Sequence, residues 1–179
     1  MFYEPIAIKE HVEKVFISFG GADPQNYSDR LLEMICKPEY SKYKFIVVLG
    51  RAKNNVESLL KYNDYPNIEV LFDVSNMPEL MTSCDVGITS RGRTGYELAF
   101  LGIPSIAMAQ NHREEKHGFV CNENGFTYIG LNPPNEMIES NLRMYLNMKQ
   151  ESRQHFQQML LSHDLRGGRK RVMCLINGV

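Results

Sequence analysis

The segment from Asp85 to Met108 has the residue types and spacing of an anion-binding loop. A predicted buried strand runs there into a turn whose hydroxyls and backbone amides could bind a pyrophosphate: Ser90, Gly92, Thr94 and Gly95. A helix is predicted to begin at Thr94 or its neighbour, and its free N–H groups and dipole would favour an anion. Glu97 is expected in the first helical turn, where its carboxylate could bind ribose hydroxyls or only compensate the helix dipole.

Two arginines flank Gly92 in this loop. Arg91 and Arg93 could complement phosphate charge, because guanidinium groups bind phosphate oxygens well. Exposed arginines are also common without any ligand, so each arginine alone fits either interpretation.

A second glycine-rich loop, FGGADP, follows an earlier predicted strand at Phe19–Pro24. Gly20 and Gly21 would let the backbone approach a ligand closely, and the helix that follows would direct its N-terminus to the same place. An ordinary strand-to-helix turn capped by Asp23 is the alternative. The adjacent glycines do not match the G-x-G-x-x-G fingerprint, which argues against a nicotinamide dinucleotide.

Phe72 and His112 are weaker candidates. Phe72 ends a predicted strand and could lie against a planar base, or it could belong to the core. His112 could contact a substrate or a phosphate. It lies five residues from His117, and no partner has zinc-ligand spacing, so we expect no metal site and no cofactor.

The composition is that of a globular domain, with 43% hydrophobic and 23% charged residues among 179. Lys and Arg (20) nearly balance Asp and Glu (21), so neither nucleic acid nor an anionic membrane is expected as the main partner. No apolar run approaches the ~20 residues of a membrane span, and no signal peptide is recognisable. The four cysteines are widely separated, which favours a reducing, cytoplasmic setting.

Six short apolar runs predict six strands, most of them without polar alternation, as in a parallel sheet covered on both faces. They span residues 15–19, 45–49, 68–71, 86–89, 104–108 and 126–129. Segments with helical spacing lie between and after them, at 27–35, 56–60, 78–81, 96–101, 135–161 (one or two helices) and 168–176. Asp23-Pro24 and Asn76 are the expected helix starts.

This alternation predicts an α/β, Rossmann-like, doubly wound parallel sheet. Residues 14–179 would form one domain, preceded by a linker or N-terminal extension at 1–13. Ligands in such sheets bind beyond the carboxyl ends of the strands, where all the candidate loops are expected.

Three segments together resemble a known family: FISFGGADPQN, SCDVGITSRGRTGYELAFLGIPSIAMAQNHREEKHGF and DLRGGRKRV. In order and spacing they are similar to the C-terminal half of the UDP-sugar hydrolases of pseudaminic acid biosynthesis. Spore-coat polysaccharide proteins are related to these enzymes, as is the N-acetylglucosaminyltransferase that makes lipid II. The resemblance covers about residues 14–172 and implies the C-terminal half of a two-domain GT-B fold.

The resemblance also implies roles for individual residues. The diphosphate would lie along Gly20, Gly21 and Ala22, and the loop at Ser90, Gly92, Thr94 and Gly95 would wrap the phosphates. Phe72 would place its backbone near the uracil, Glu97 would hold the ribose, and Asn111 would lie near the sugar-phosphate side.

The sequence departs from the family at several positions. Arg91 and Arg93 stand where the family has small residues, and Asn111-His112 stands where an Asn-Gln pair is usual. The family's catalytic histidine lies in the N-terminal half, and none of the five histidines here matches it. We therefore expect no catalytic residue in this chain, which alone would be inactive and would need that N-terminal half as a partner, on the same polypeptide or as a separate subunit.

Three functions are compatible with these features. The first is the UDP-sugar-binding half of a hydrolase in pseudaminic acid or surface polysaccharide biosynthesis. The second is a non-catalytic nucleotide-sugar-binding module. The third is the donor-binding domain of a glycosyltransferase.

Overall fold

A single sheet of six parallel strands forms the centre of the computed structural model, which describes residues 3–165 and residue 167. The strands are β1 Lys14–Ser18, β2 Lys44–Leu49, β3 Ile68–Phe72, β4 Val86–Ser90, β5 Ser105–Ala109 and β6 Phe126–Leu131. Their order across the sheet is β3-β2-β1-β4-β5-β6. The predicted Rossmann-like parallel sheet and all six predicted strands are therefore confirmed.

α-Helices lie between successive strands from β1 to β5, and two more follow β6. They are α1 Tyr27–Ile35, α2 Val56–Leu60, α3 Met77–Thr82, α4 Arg93–Phe100, α5 Asn135–Leu146 and α6 Gln150–Leu161. The tail predicted as one or two helices is thus two, and the helix predicted at 168–176 lies outside the described residues. No helix in the described part of the chain combines the length and the apolar character that a bilayer crossing requires.

Two helix starts differ from prediction. Asn26 has a left-handed backbone (φ 53°), so α1 begins at Tyr27 and not at Pro24. Asp23 still caps α1, because its carboxylate accepts hydrogen bonds of 2.9 Å from the N–H groups of Tyr27 and Ser28. Asn76 precedes α3 as predicted, but its side chain makes no capping hydrogen bond.

The strands lack polar alternation because both faces of the sheet are covered. On one face, Val15, Ile17 and Val47 belong to a cluster that includes apolar residues of α1 and α5. On the other face, Phe16 and Ile46 pack in a cluster with residues of α3 and α4. All five residues of β4 and of β5 are buried. A sheet covered in this way leaves only its edges and the ends of its strands for ligands.

The described part of the N-terminal extension packs against the domain. Ile6 donates a backbone hydrogen bond to the Leu101 carbonyl (2.9 Å). Arg153 of α6 is fully buried, and its Nη2 donates to the carbonyls of Lys9 (2.8 Å) and Glu10 (2.9 Å). Residues 6–10 are therefore held by hydrogen bonds to the end of α4 and to α6.

The strand order reverses between β1 and β4. The chain leaves β1 towards β2 and β3 on one side, and continues from β4 to β5 and β6 on the other. The loops after β1 and β4 diverge there and leave a crevice at the carboxyl ends of the strands, where doubly wound sheets bind their ligands.

Candidate functional site

A cleft of about 670 Å³ lies at this crevice and joins the two loops singled out from the sequence. Its lining residues come from the loops after β1, β4 and β5 and from the helices α3 and α4. They are Phe19, Gly20, Gly21, Ala22, Asp23, Pro24, Met77, Ser90, Gly92, Arg93, Thr94, Glu97, Gln110, Asn111 and Glu114. Most of the predicted binding residues are thus brought together.

The glycine loop after β1 forms one wall of the cleft. Gly20 has a positive φ of 74°, and a Cβ at Gly20 or Gly21 would meet no heavy atom within 4 Å. The back of the loop is tightly packed, because a Cβ on Gly50 would lie 2.1 Å from the Gly20 carbonyl oxygen. Ala52 also donates its N–H to the Gly21 carbonyl (3.0 Å). The loop is therefore open to a ligand on one side and supported by the β2–α2 connection on the other.

A buried ion cluster lies beside this loop. The Lys53 ammonium is 2.6 Å from Asp29 Oδ2, 3.3 Å from Asp23 Oδ2 and 2.8 Å from Asn26 Oδ1. The side chains of Lys53 and Asp23 are 2% and 3% exposed. Asp23 therefore fixes the start of α1, with its charge balanced by Lys53.

The N-terminus of α4 forms the opposite wall. Gly92 is the capping residue, and α4 begins at Arg93. The first N–H groups of a helix have no partner within it and carry its positive dipole end. The buried Ser90 and Thr94 and the exposed Arg93 line the same wall. This arrangement can hydrogen-bond and neutralise an anion.

Glu97 lines the cleft from the start of the second turn of α4, and not from the first turn as predicted. Because α4 begins at Arg93, its first turn contains no acidic residue, and compensation of the helix dipole does not explain Glu97. Desolvation raises the pKa of the Glu97 carboxyl, and the positive charge of Arg93 partly opposes that rise. The carboxylate lies beside the wall formed by the start of α4, where it can accept hydrogen bonds from hydroxyl groups.

Two residues of the predicted phosphate loop do not line the cleft. The Arg91 guanidinium lies 4.1 Å from the centre of the Tyr128 ring, and its Nη1 donates to the Glu115 carbonyl (3.0 Å). Arg91, which was predicted to complement phosphate charge, is therefore held outside the cleft lining. Gly95 is needed for packing, because a Cβ would lie 2.6 Å from Val120 Cγ2.

Phe72 and His112 also lie outside the cleft lining. Phe72 is 44% exposed at the end of β3, two strands from β1, so it belongs neither to the core nor to this cleft. His112 is exposed, with Nδ1 2.6 Å from Glu115 Oε2. Asn111 does line the cleft, but its Oδ1 already accepts hydrogen bonds from the N–H groups of Arg113 and Glu114 (3.0 Å each).

Two polar residues of the cleft were not identified from the sequence. Gln110 is 3% exposed, and its Nε2 donates to the Phe19 carbonyl (2.6 Å), which ties the end of β5 to the end of β1. Its backbone N–H donates to Glu114 Oε2 (2.9 Å). Gln110 directly follows β5, so the rule that selected the other loops could have found it. Glu114 lies in the charged run HREEK, which is typical of an exposed surface.

Within residues 3–165 and 167, no group of three His, Cys, Asp or Glu side chains could hold a metal ion. The groups that line the cleft can instead act through hydrogen bonds and charge. Amide-rich loops form its walls, and carboxylates lie beside one of them.

Sequence comparison finds two distant curated relatives. The chain is 33% identical over 111 residues to the uncharacterised protein MJ1062 of Methanocaldococcus jannaschii, a match that covers 60% of this chain and 23% of that protein. It is 22% identical over 109 residues to the spore coat polysaccharide biosynthesis protein SpsG of Bacillus subtilis, covering 60% and 32%. No protein-family model matches. The aligned part is thus a third or less of either relative.

Solved structures with the same fold include a glycosyltransferase and a protein bound to UDP-glucose. MurG of Acinetobacter baumannii superposes with a TM-score of 0.69 at 15% identity, covering 98% of this chain and 55% of MurG. WaaG, a glycosyltransferase involved in lipopolysaccharide biosynthesis, superposes with a TM-score of 0.66 at 19% identity, covering 96% of this chain and 49% of WaaG. Anabaena HepE, solved with UDP-glucose, gives 0.64 at 13% identity, covering 93% and 49%.

The fold is that of a GT-B glycosyltransferase domain. The chain spans about half the length of these three structures. The SpsG match agrees with the predicted likeness to spore-coat polysaccharide proteins. Membership of the hydrolase family of pseudaminic acid biosynthesis stays a prediction.

Proposed function

We propose that this chain is the UDP-sugar-binding half of a GT-B glycosyltransferase that acts in polysaccharide biosynthesis. The observation that carries the proposal is the cleft between β1 and β4, where the glycine loop and the N-terminus of α4 face one another beside Glu97. UDP-glucose bound to HepE supports the choice of ligand class. The polysaccharide setting rests on the names of WaaG and SpsG.

The site would act by stabilising the leaving group. Breaking the sugar–phosphate bond places negative charge on the departing diphosphate, and preorganised donors lower the barrier by binding that charge. The amides of residues 20–22 and 92–94 and the Arg93 guanidinium would supply those donors, while Glu97 would bind the ribose. A second GT-B half facing the cleft, on the same polypeptide or another, would supply the acceptor and its general base.

A transferase fits better than the hydrolase considered from the sequence. Of the three solved structures described above, WaaG is named as a glycosyltransferase, and none is named as a hydrolase. Transfer to water instead of a sugar acceptor would give the hydrolase as the alternative outcome.

Calorimetric titration with UDP, CMP, ADP and NAD tests the proposal. We expect UDP to bind most tightly, since the resemblance and the UDP-glucose complex of HepE both favour a uridine nucleotide. UDP binding no tighter than that of the other nucleotides would contradict the proposal.

Replacing Glu97 with alanine is expected to weaken UDP binding at least about tenfold, because hydrogen bonds to a charged group contribute about 1.5–3 kcal/mol and about 1.4 kcal/mol is tenfold in affinity. Glu57→Ala is the matched control, since Glu57 is an exposed glutamate in α2, outside the cleft lining. Both variants are titrated with UDP at one salt concentration. If the two variants bind UDP with equal affinity, Glu97 does not contact the ribose as proposed.

A further inference from the structure

A carboxylate lies in the cleft at the wall best suited to an anion. Glu114 reaches this position from the loop after β5, and its Oε2 accepts the Gln110 N–H (2.9 Å). Its Oε1 lies 3.5 Å from the position that a Cβ on Gly92 would occupy. Gly92 caps α4, so Glu114 is adjacent to the amides at the start of that helix.

A carboxylate at this position affects bound phosphates according to their charge. Like charges repel more strongly as they approach one another in a partly desolvated cleft. Arg93 lies on the same wall and attracts phosphate, but it also interacts with Glu97, since its charge partly opposes the desolvation that raises the pKa of Glu97. A ligand with two negative charges at this wall would therefore be repelled by Glu114 more strongly than a ligand with one.

Free UDP and a UDP-sugar differ in the negative charge on the second phosphate of the nucleotide. The terminal phosphate of UDP is a monoester with a second pKa of about 6, so near neutral pH it carries almost two negative charges. In a UDP-sugar the same phosphate is esterified by the sugar and carries only one. The additional charge would be next to Glu114 if the diphosphate binds between the two loops.

We infer that Glu114 discriminates between the sugar nucleotide and free UDP by repelling the second charge on the terminal phosphate. The inference rests on the proposed function, because it requires the diphosphate to bind at the start of α4. Glu114 is in this sense a specificity-determining residue that disfavours the released nucleotide and assists its departure after transfer.

The test compares Glu114→Gln with wild type. Glutamine keeps the side-chain oxygen that accepts the Gln110 N–H and removes only the charge. Glu115→Gln is the matched control, because the neighbouring Glu115 carboxylate faces His112 and lies outside the cleft lining. Three ligands are titrated calorimetrically at pH 7.5: UDP, the methyl ester of its terminal phosphate, and UDP-glucose. Thermal unfolding of each variant checks that the fold is intact.

We expect Glu114→Gln to tighten UDP binding about fivefold while the methyl ester and UDP-glucose change less than about twofold. Glu115→Gln should leave all three affinities near those of wild type. Equal changes for all three ligands, or no change, would overturn the inference. Weakening of UDP-glucose alone would also overturn it and assign Glu114 to a sugar contact. If wild type binds none of the three ligands, the proposed function itself fails.

Discussion

Replacing Lys53 with methionine is expected to lower the free energy of unfolding by about 3–5 kcal/mol, because removing one partner of a buried ion cluster leaves uncompensated charge. Lys53 is 2% exposed and contacts Asp23, Asp29 and Asn26. Without it, the Asp23 carboxylate that caps α1 would remain buried without its cation. Urea unfolding followed by circular dichroism measures the change.

Lys61→Met provides the control for the loss of a lysine charge. Lys61 is exposed in the short turn after α2, and surface substitutions usually change stability by less than about 0.5 kcal/mol. If Lys53→Met and Lys61→Met lower the free energy of unfolding by the same amount, the cluster does not stabilise the start of α1 in the way described.

Gly50→Ala is expected to cost about 3 kcal/mol of stability and to abolish measurable UDP binding, since overpacking against backbone forces the chain to move. The added Cβ would lie 2.1 Å from the Gly20 carbonyl oxygen and 2.5 Å from Gly21 Cα. Neither atom belongs to a flexible side chain, so the glycine loop itself must shift. Chemical denaturation and calorimetric titration with UDP measure the two effects.

Gly118→Ala is the matched substitution at a position without contacts. A Cβ at Gly118 would meet no heavy atom within 4 Å. This variant should keep both stability and UDP affinity. Retained UDP binding in a folded Gly50→Ala protein would show that the glycine loop does not need its present position to bind the nucleotide.

The sheet could be predicted from sequence because burial on both faces leaves a local signature. Strands such as β2 and β5 are continuous apolar runs that no amphipathic helix would show. The end of each run indicates a loop at the edge of the sheet where ligands bind. By this rule the Gly20–Gly21 turn and Ser90 were expected at that edge, and both line the cleft. These features need only the periodicity of the chain and the geometry of a parallel sheet.

The remaining site residues depend on contacts between distant segments. Lys53 lies in the polar run RAKNN and becomes buried only because Asp23 and Asp29 surround it. Arg91 resembles a phosphate ligand in the sequence, but Tyr128 and the Glu115 carbonyl hold it outside the cleft lining. Glu114 resembles a surface residue. The positions of Lys53, Arg91 and Glu114 do not follow from the local sequence pattern. Lys53 and Arg91 are held by partners at least 24 residues away along the chain, and Glu114 is placed by the path of the loop after β5.

A crystal structure of the chain with UDP bound is the most direct test of the central claim. We expect the diphosphate oxygens within about 2.7–3.2 Å of backbone amides from residues 20–22 and 92–94, with the ribose hydroxyls on Glu97. UDP bound elsewhere on the protein, or a cleft that stays empty at saturating UDP, would contradict the account.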